Sequence, residues 1–197
     1  ILDGAGNAVA LTYTLNGGFG SGAVVTGAGF LLNNEMDDFS IRPGHPNLYG
    51  VVGGRANEIA PRKRMLSSMT PTLLLEDGRV RAVVGTPGGS TIITSVFQAL
   101  IDLRDFGLSP LQAVSAPRFH HQLLPPDRIV FSRCCALAPD TVAELRALGY
   151  TVEPSPWEFG DLQFVTVDPQ GRVEAASDPR GRGVSLVFPA EPRHTRP

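Results

Sequence analysis

Three short groups of residues have types and spacings suited to chemistry. The first is Gly-Thr-Pro-Gly-Gly-Ser at 85–90. If a helix starts there, its free backbone N–H groups converge on one point, its dipole favours negative charge, and the missing Cβ atoms of Gly88 and Gly89 admit a substrate. That makes the glycine pair a candidate oxyanion hole; the other reading is a glycine turn capped by Ser90. The second group is Glu35 with Asp38, beside Asn33 and Asn34 in a stretch otherwise short of charge. Paired carboxylates suit a substrate ammonium, because one cation satisfies two acids that would otherwise repel each other. A solvated acidic turn is the alternative. The third is Ser67-Ser68, two hydroxyls able to donate to a carboxylate or simply to cap a turn.

A nucleophile is harder to find. No Gly-x-Ser-x-Gly elbow joins a strand to a helix. Cys134 and Cys135 are adjacent, so they close no ordinary disulfide loop, and no Cys-x-x-Cys or Cys/His zinc spacing occurs; they read as inert thiols and leave the redox compartment open. His120 and His121, as neighbours on a strand, face opposite ways and lack a second cluster of ligands, which favours a hydrogen-bonding role over a metal site. Lys63 is the sole lysine, which excludes a P-loop lysine, and no GxGxxG follows the glycine turn. No cofactor is implied.

Composition narrows the partner. The chain has 197 residues, 42% hydrophobic and 18% charged, with a net charge of −2, enough for one sizeable core and too weak a field to gather nucleic acid or an anionic membrane. A small-molecule partner is expected. No apolar run reaches the roughly 18 residues of a transmembrane helix, and the first residues do not resemble a signal peptide.

These residues must be positioned by elements, and the pattern predicts them as follows. Residues 8–15 read as a strand ending in the glycine-rich turn 16–22, and 29–32 as a short buried strand. Residues 40–64 form a long Pro/Gly-rich loop of the kind that serves as a lid. Two apolar runs within 70–86 flank Asp77-Gly78, a strong hairpin signal. Helical spacing covers 90–106 and stops at Gly107; a second helix is expected at 110–115 and a third at 139–148, closed by Gly149. Strands are expected at 119–123 and 128–132, and a hairpin at 163–176 turning at 169–171. Hairpins rather than repeated βαβ units indicate a layered α+β architecture. Residues 1–190 read as one domain and 191–197 as a disordered tail.

Taken in order, the segments at 6–16 (GNAVALTYTLN), 31–40 (LLNNEMDDFS), 66–72 (LSSMTPT), 85–90 (GTPGGS), 116–122 (APRFHHQ) and 176–180 (ASDPR) resemble the small, C-terminal subunit of γ-glutamyltranspeptidases. The resemblance runs from the first residues to about Arg180, and a spaced set of motifs is far more specific than any one of them. It implies the αββα four-layer sandwich of the N-terminal-nucleophile hydrolases, of which this chain would form the small-subunit half. It further implies a γ-glutamyl hydrolase and transpeptidase acting on glutathione and related amides.

Residue by residue, Thr14 matches the threonine that bonds and helps activate the nucleophile. Asn16, Glu35 and Asp38 match the groups that hold the substrate's α-amino end, and Ser67 and Ser68 match its α-carboxylate partners. Gly88 and Gly89 match the oxyanion hole, and Tyr49 belongs to the lid. The implied reaction is acyl transfer through an N-terminal threonine whose own α-amine is the base. The chain opens at Ile1, without the Thr-Thr-His-like head of the family, so the nucleophile is expected just upstream of Ile1. An arginine for the α-carboxylate is expected from the large, N-terminal subunit of the same precursor, the partner in a heterodimer. The resemblance also implies a periplasmic or extracellular location. Two other readings stand beside it: a related cephalosporin or glutaryl acylase, whose substrate would leave Glu35 and Asp38 without a cation, and a non-catalytic binding subunit.

Overall fold

The computed structural model describes residues 1–189, so the tail expected at 191–197 lies outside the described residues. In chain order its elements are β1 (Thr72–Glu76), β2 (Arg79–Gly85), α1 (Thr91–Arg104), α2 (Pro110–Ser115), β3 (Phe119–His121), β4 (Arg128–Phe131), α3 (Pro139–Ala147), β5 (Thr151–Pro154), β6 (Gln163–Val167) and β7 (Val173–Ser177).

The first hairpin follows from its turn. Asp77 and Gly78 take φ of 50° and 75°, the positive values of a two-residue turn whose twist matches that of the flanking strands. β2 then pairs with β6, and β6 with β7, giving a fully antiparallel sheet in the order β1-β2-β6-β7. α1 and α2 lie on one face of it. Alternation along the strands turns Ala82 and Val84 of β2, Phe164 of β6 and Ala176 of β7 toward the helices, where they meet Val96, Ala99, Ala113, Val114 and Leu162 in one buried cluster. α2 starts at Pro110 behind Ser109, whose hydroxyl accepts from the Gln112 N–H while the Gln112 side chain accepts from the Ser109 N–H, a complete capping box. A smaller sheet, β3-β4-β5, packs on α1 through β3 and carries α3.

One helical layer on one face of one sheet is half of an αββα sandwich, the α+β class and subunit half expected from the sequence. The other face is only partly covered: Val83, beside the N-terminal segment, is 5% exposed, whereas Leu73 and Leu75, which alternate with the core-facing Leu74, are 44% and 57% exposed. Among the described residues no helix is long and apolar enough to cross a membrane.

Several expectations change. Residues 8–15 form no ladder; they carry only an isolated bridge from Leu2 to Ala8, and their alternate apolar row, Val9, Leu11 and Tyr13, is 55%, 79% and 82% exposed. A strand pattern supplies the residues but not the neighbouring strand that a ladder requires. The buried strand at 29–32 is likewise reduced to the bridge Val24 to Leu31, with Phe30 56% exposed. β5, which pairs parallel with β4, was not anticipated from the sequence. The long loop at 40–64 is pinned by bridges from Ser40 to Glu58 and from Pro46 to Val52.

The layers are joined by a buried ionic cluster. Arg118, wholly buried, pairs with the equally buried Asp178, which also accepts from Arg180 Nη1 at 3.0 Å. Removing the anion by Asp178→Ala leaves two buried guanidinium groups without their shared partner, a defect of about 3–5 kcal/mol. Urea unfolding of the assembled protein should show a midpoint lowered accordingly, whereas a loss below ~1 kcal/mol would mean that water or a rearranged neighbour replaces Asp178.

Candidate active site

The glycine motif lies where β2 hands over to α1. Gly88 and Gly89 take φ of 142° and 57°, and their space is already occupied. A Cβ on Gly89 would stand 2.6 Å from the Tyr49 ring, and one on Gly88 2.6 Å from Thr91 Oγ1. The carbonyls are used in starting the helix: Gly88 O accepts from the Thr91 N–H and hydroxyl at 3.2 and 2.8 Å, and Gly89 O from the Ile92 N–H at 3.2 Å. Among the described residues the N–H groups of Gly88 and Gly89 donate to no protein acceptor. They are therefore free to receive an anion at the N-terminus of a 14-residue helix.

Opposite them stands a tightly bonded turn. The Thr14 hydroxyl accepts from the Asn16 N–H at 2.8 Å, which leaves its own O–H free as a donor. Asn16, at φ 70°, donates its side-chain amide to Asn34 O at 3.2 Å, and Asn34 Oδ1 accepts from the Gly17 N–H at 2.8 Å. The Tyr49 hydroxyl closes the arrangement by donating to Asn16 O. Tyr49 is itself held from behind: Gln122 Nε2 donates to Tyr49 O at 3.2 Å, Gln122 Oε1 meets His120 Nε2 at 3.2 Å, and His120 Nδ1 meets Thr94 Oγ1 at 2.9 Å. His120 is thus a buried, hydrogen-bonded residue linking α1 to the loop, and burial lowers its pKa.

The acids sit on a single 3-10 turn, Glu35–Asp38. Asp38 is buried, and its Oδ2 accepts from the Ser68 hydroxyl at 3.2 Å. Glu35 Oε1 is shut off from solvent and has no hydrogen-bond partner. Burial raises the Glu35 carboxyl above its ordinary range, and repulsion from Asp38 adds to the effect. For Asp38 burial again raises the pKa, the Ser68 hydroxyl pulls it back, and Asp37 pushes it up. The Tyr49 phenol is raised by burial and then by Glu35, Asp37 and Asp38. Every one of these shifts marks a place where negative charge is poorly satisfied, and a bound cation would relieve them together.

Thr14, Asn16, Glu35, Tyr49, Ser68, Gly88 and Gly89 line one cleft of about 440 Å³. Asp38 lines an adjoining cavity of about 260 Å³, which shares Tyr49 and Ser68 with the cleft. Ser67 is not brought in: it is exposed, and its hydroxyl accepts from the Met69 N–H at 3.2 Å, a local turn bond that competes with any outward role. The sequence reading missed the far wall, Trp157, Glu158 and Phe159, on the segment between β5 and β6. The chain's single tryptophan beside an acid, after Ser155-Pro156, was the available signal.

A sheet layered with helices on one face, with a glycine-rich helix start and an unpaired acid lining one cleft, agrees with one half of the N-terminal-nucleophile hydrolase fold. The sequence model of the Gamma-glutamyltranspeptidase family matches residues 1–188. The glutathione hydrolase proenzyme of Pseudomonas aeruginosa is 58% identical over 187 residues, 95% of this chain and 33% of that protein. The Escherichia coli proenzyme is 49% identical over 180 residues, 91% of this chain and 30% of its own length. Among solved structures, a chain of the gamma-glutamyltranspeptidase from Pseudomonas nitroreducens complexed with L-DON superposes with a TM-score of 0.91 at 55% identity, covering 96% of this chain and 97% of that one. A cephalosporin acylase from Bacillus halodurans is more distant, at 26% identity and a TM-score of 0.76. The chain belongs to the gamma-glutamyltranspeptidase family. It spans about a third of the length of the curated relatives it matches.

The Tyr49 hydroxyl is one of the bonds that hold the loop over the cleft, together with that from Gln122 Nε2 to Tyr49 O and that from the Leu48 N–H to Asp37 Oδ2 at 3.0 Å. Tyr49→Phe removes the first of these, and at about 1–1.5 kcal/mol for such a bond the loop should open roughly tenfold more often. Amide hydrogen exchange at residues 47–51 should accelerate by that factor while exchange in β2 and β6 is unchanged; equal rates in the loop would show that the bonds to Gln122 and Asp37 suffice to secure it.

Proposed function

We propose that this chain is the small subunit of a γ-glutamyl hydrolase and transpeptidase that cleaves the γ-glutamyl amide of glutathione and related compounds. The observation that carries the reading is the buried, unpartnered Glu35 carboxylate oxygen, beside Asp38 and in the same cleft as Gly88 and Gly89, whose N–H groups are free. One end of such a site suits an ammonium and the other an oxyanion, the two ends of a γ-glutamyl group under attack.

In the proposed reaction a threonine preceding Ile1 is the nucleophile, and its α-amine takes the hydroxyl proton. The Thr14 O–H, left free by the bond from Asn16, donates to that nucleophile and orients it. As the γ-carbonyl becomes tetrahedral, its oxyanion accepts from the N–H groups of Gly88 and Gly89. Collapse expels the amine leaving group with the proton from the α-amine and leaves a γ-glutamyl-threonine ester. Water or an amino acid then attacks the ester by the same route in reverse. Glu35, Asp38 and the Asn16 side-chain oxygen receive the α-ammonium, and Ser68 donates to the α-carboxylate once its hydroxyl turns from Asp38 Oδ2, with Ser67 joining it if the exposed turn swings inward. Tyr49 covers the bound substrate.

The proposed partner is the large subunit of the same precursor, supplying an arginine for the α-carboxylate and a second sheet for the partly covered face; the length of the proenzyme relatives supports it. A periplasmic or extracellular location is proposed on family grounds alone. The acylase alternative is the weaker one, because a glutaryl group has no ammonium to satisfy Glu35 and Asp38.

Two measurements test this. Turnover of a γ-glutamyl anilide by the assembled protein should exceed that of a glutaryl anilide by about 10²-fold, the worth of one charge-assisted hydrogen bond to each acid; faster glutaryl release would sink the reading. The second is the pH dependence of kcat/KM. Ammonium binding needs both acids ionised, and burial has raised their pKa values. Affinity should therefore fall as pH drops through those raised values, above the ordinary carboxylate range of about 4. Glu35→Gln should raise KM by about 10–100-fold and move this acid limb downward; an unmoved limb would assign it to another group.

A further inference from the structure

The proposed reaction leaves one reactive pair unused. The turn after β4 sets the sulfurs of Cys134 and Cys135 in contact with each other, both as free thiols, with Cys134 exposed and Cys135 partly so. Adjacent side chains on extended backbone point to opposite sides, so this approach is a property of the turn. The same turn is bonded to the far wall of the cleft. The Cys134 N–H donates to Glu158 Oε2 at 2.8 Å, and the Ser132 hydroxyl donates to Glu158 Oε1 at 2.5 Å while lying 3.4 Å from Cys134 Sγ. Arg133 Nη1 donates to Pro156 O at 3.0 Å. Glu158 in turn lines the cleft with Trp157 and Phe159, and its Oε1 accepts from the Phe159 N–H at 3.1 Å.

We propose that Cys134 and Cys135 form an oxidative modification site that closes to a vicinal disulfide, and that Glu158 transmits the closure to the cleft wall. The oxidant is a low-molecular-weight disulfide. The more exposed Cys134, as thiolate, attacks one of its sulfurs, expelling one small thiolate, which is protonated, and forming a mixed disulfide. Cys135 then gives up its proton and attacks the Cys134 sulfur, releasing the second small thiol. Two protein thiols are oxidised to one disulfide and one small disulfide is reduced to two thiols, so electrons and protons balance. The order follows from the surroundings: the Cys135 thiol is pushed up to about 11, first by its hydrogen bond with Cys134 and then by burial, which makes it the second sulfur to react. The ring so formed spans a single peptide bond and fixes the torsions of both cysteines, one of which carries the N–H held by Glu158.

The modification does not depend on the reaction proposed above; only its effect on turnover does. The assembled protein is treated with glutathione disulfide, remaining thiols are blocked with iodoacetamide, and peptides are mapped by mass. The expected product is a peptide containing Cys134 and Cys135 that has lost two hydrogens, carries neither glutathione nor the blocking group, and reverts with dithiothreitol. Amide exchange at residues 157–160 should change on oxidation by about threefold or more, and not at all in the Cys134→Ser/Cys135→Ser double variant. KM for a γ-glutamyl anilide should shift in parallel. Glutathione retained on either cysteine, two alkylated cysteines after treatment, or closure that leaves exchange at 157–160 unchanged would each overturn the proposal. Absence of turnover before oxidation would instead count against the proposed reaction, and the thiol map and exchange data would still decide the site.

Discussion

Arg118 and Arg180 meet around Asp178 at the point where the helices, the main sheet and the far wall of the cleft converge. Their guanidinium groups do more than pair with one carboxylate. Arg118 Nη2 donates to Val114 O and Gly160 O, both at 2.9 Å, and Arg180 donates to Val114 O at 2.8 Å and Ala116 O at 2.6 Å. The last carbonyls of α2, which an α-helix leaves without partners, are thereby capped by two cations at the negative end of its dipole. Arg180 also reaches Ser132 Oγ at 3.0 Å, and Glu158 stands 3.8 Å from its Nε. Two cations and two acids thus balance in a region with little water. The cost of burying them is offset because the guanidinium Nη groups and Arg180 Nε find geometric matches, Arg118 Nε being the donor without one, and such matching is the condition for a buried ionic cluster to hold a single arrangement. Gly160, at φ 85°, is part of that condition, since a Cβ there would stand 2.7 Å from Arg118 Nε.

The cleft shows the opposite electrostatic situation. Where the buried cluster is satisfied, the 3-10 turn at Glu35–Asp38 concentrates acids without a cation near them, and one oxygen of Glu35 has nothing to accept from. Among the described residues other buried polar atoms also lack a partner, Arg118 Nε and Ser95 Oγ among them, but Glu35 Oε1 is the one carboxylate oxygen in that state. This unmet acceptor lies in the cleft. It shares that cleft with the one helix N-terminus whose glycine N–H groups are also unengaged, and the two unsatisfied ends have opposite preference for charge. Binding a dipolar ligand would satisfy both at once, which is how desolvated charge at a site becomes affinity for its ligand.

Much of this was legible in the residues. The hairpin around Asp77-Gly78 and the short helix at 110–115 are set by chemistry within a few positions, and both appear where the pattern put them. The glycine turn before α1 was legible for the same reason. The segment at 8–15 was not, because strand-like alternation says nothing about whether a neighbouring strand is present. The ionic cluster was also beyond reach: Arg118 and Asp178 are 60 positions apart, and nothing local in APRFHHQ or ASDPR announces that one buried cation will face the other's carboxylate. Trp157, Glu158 and Phe159 reach the cleft only through the crossover from β5 to β6, a long-range consequence of topology. Glu35 with Asp38 lies between these cases. The sequence showed the two acids together, whereas their desolvation, which separates a site from a solvated turn, is a property of the tertiary structure.

The partly covered face of the main sheet gives the cleft its remaining constraint. Leu73 and Leu75 on that face, with Val9, Leu11 and Tyr13 of the N-terminal segment, expose apolar rows at the regular period of a strand. Surface of this kind is a core with one side missing. The N-terminal segment approaches β2 near Gly85, where a Cβ would stand 3.4 Å from Thr12 Oγ1, and Thr12 and Tyr13 run on into the cleft at Thr14. Whatever covers the apolar row therefore also fixes the position of Thr14 relative to Gly88 and Gly89. A misplacement of about 1 Å at a reacting centre can cost two orders of magnitude in rate. Burial of this face and alignment of the candidate oxyanion hole are in consequence one requirement, and the proposed second subunit would complete the hydrophobic core and the catalytic geometry through the same contacts.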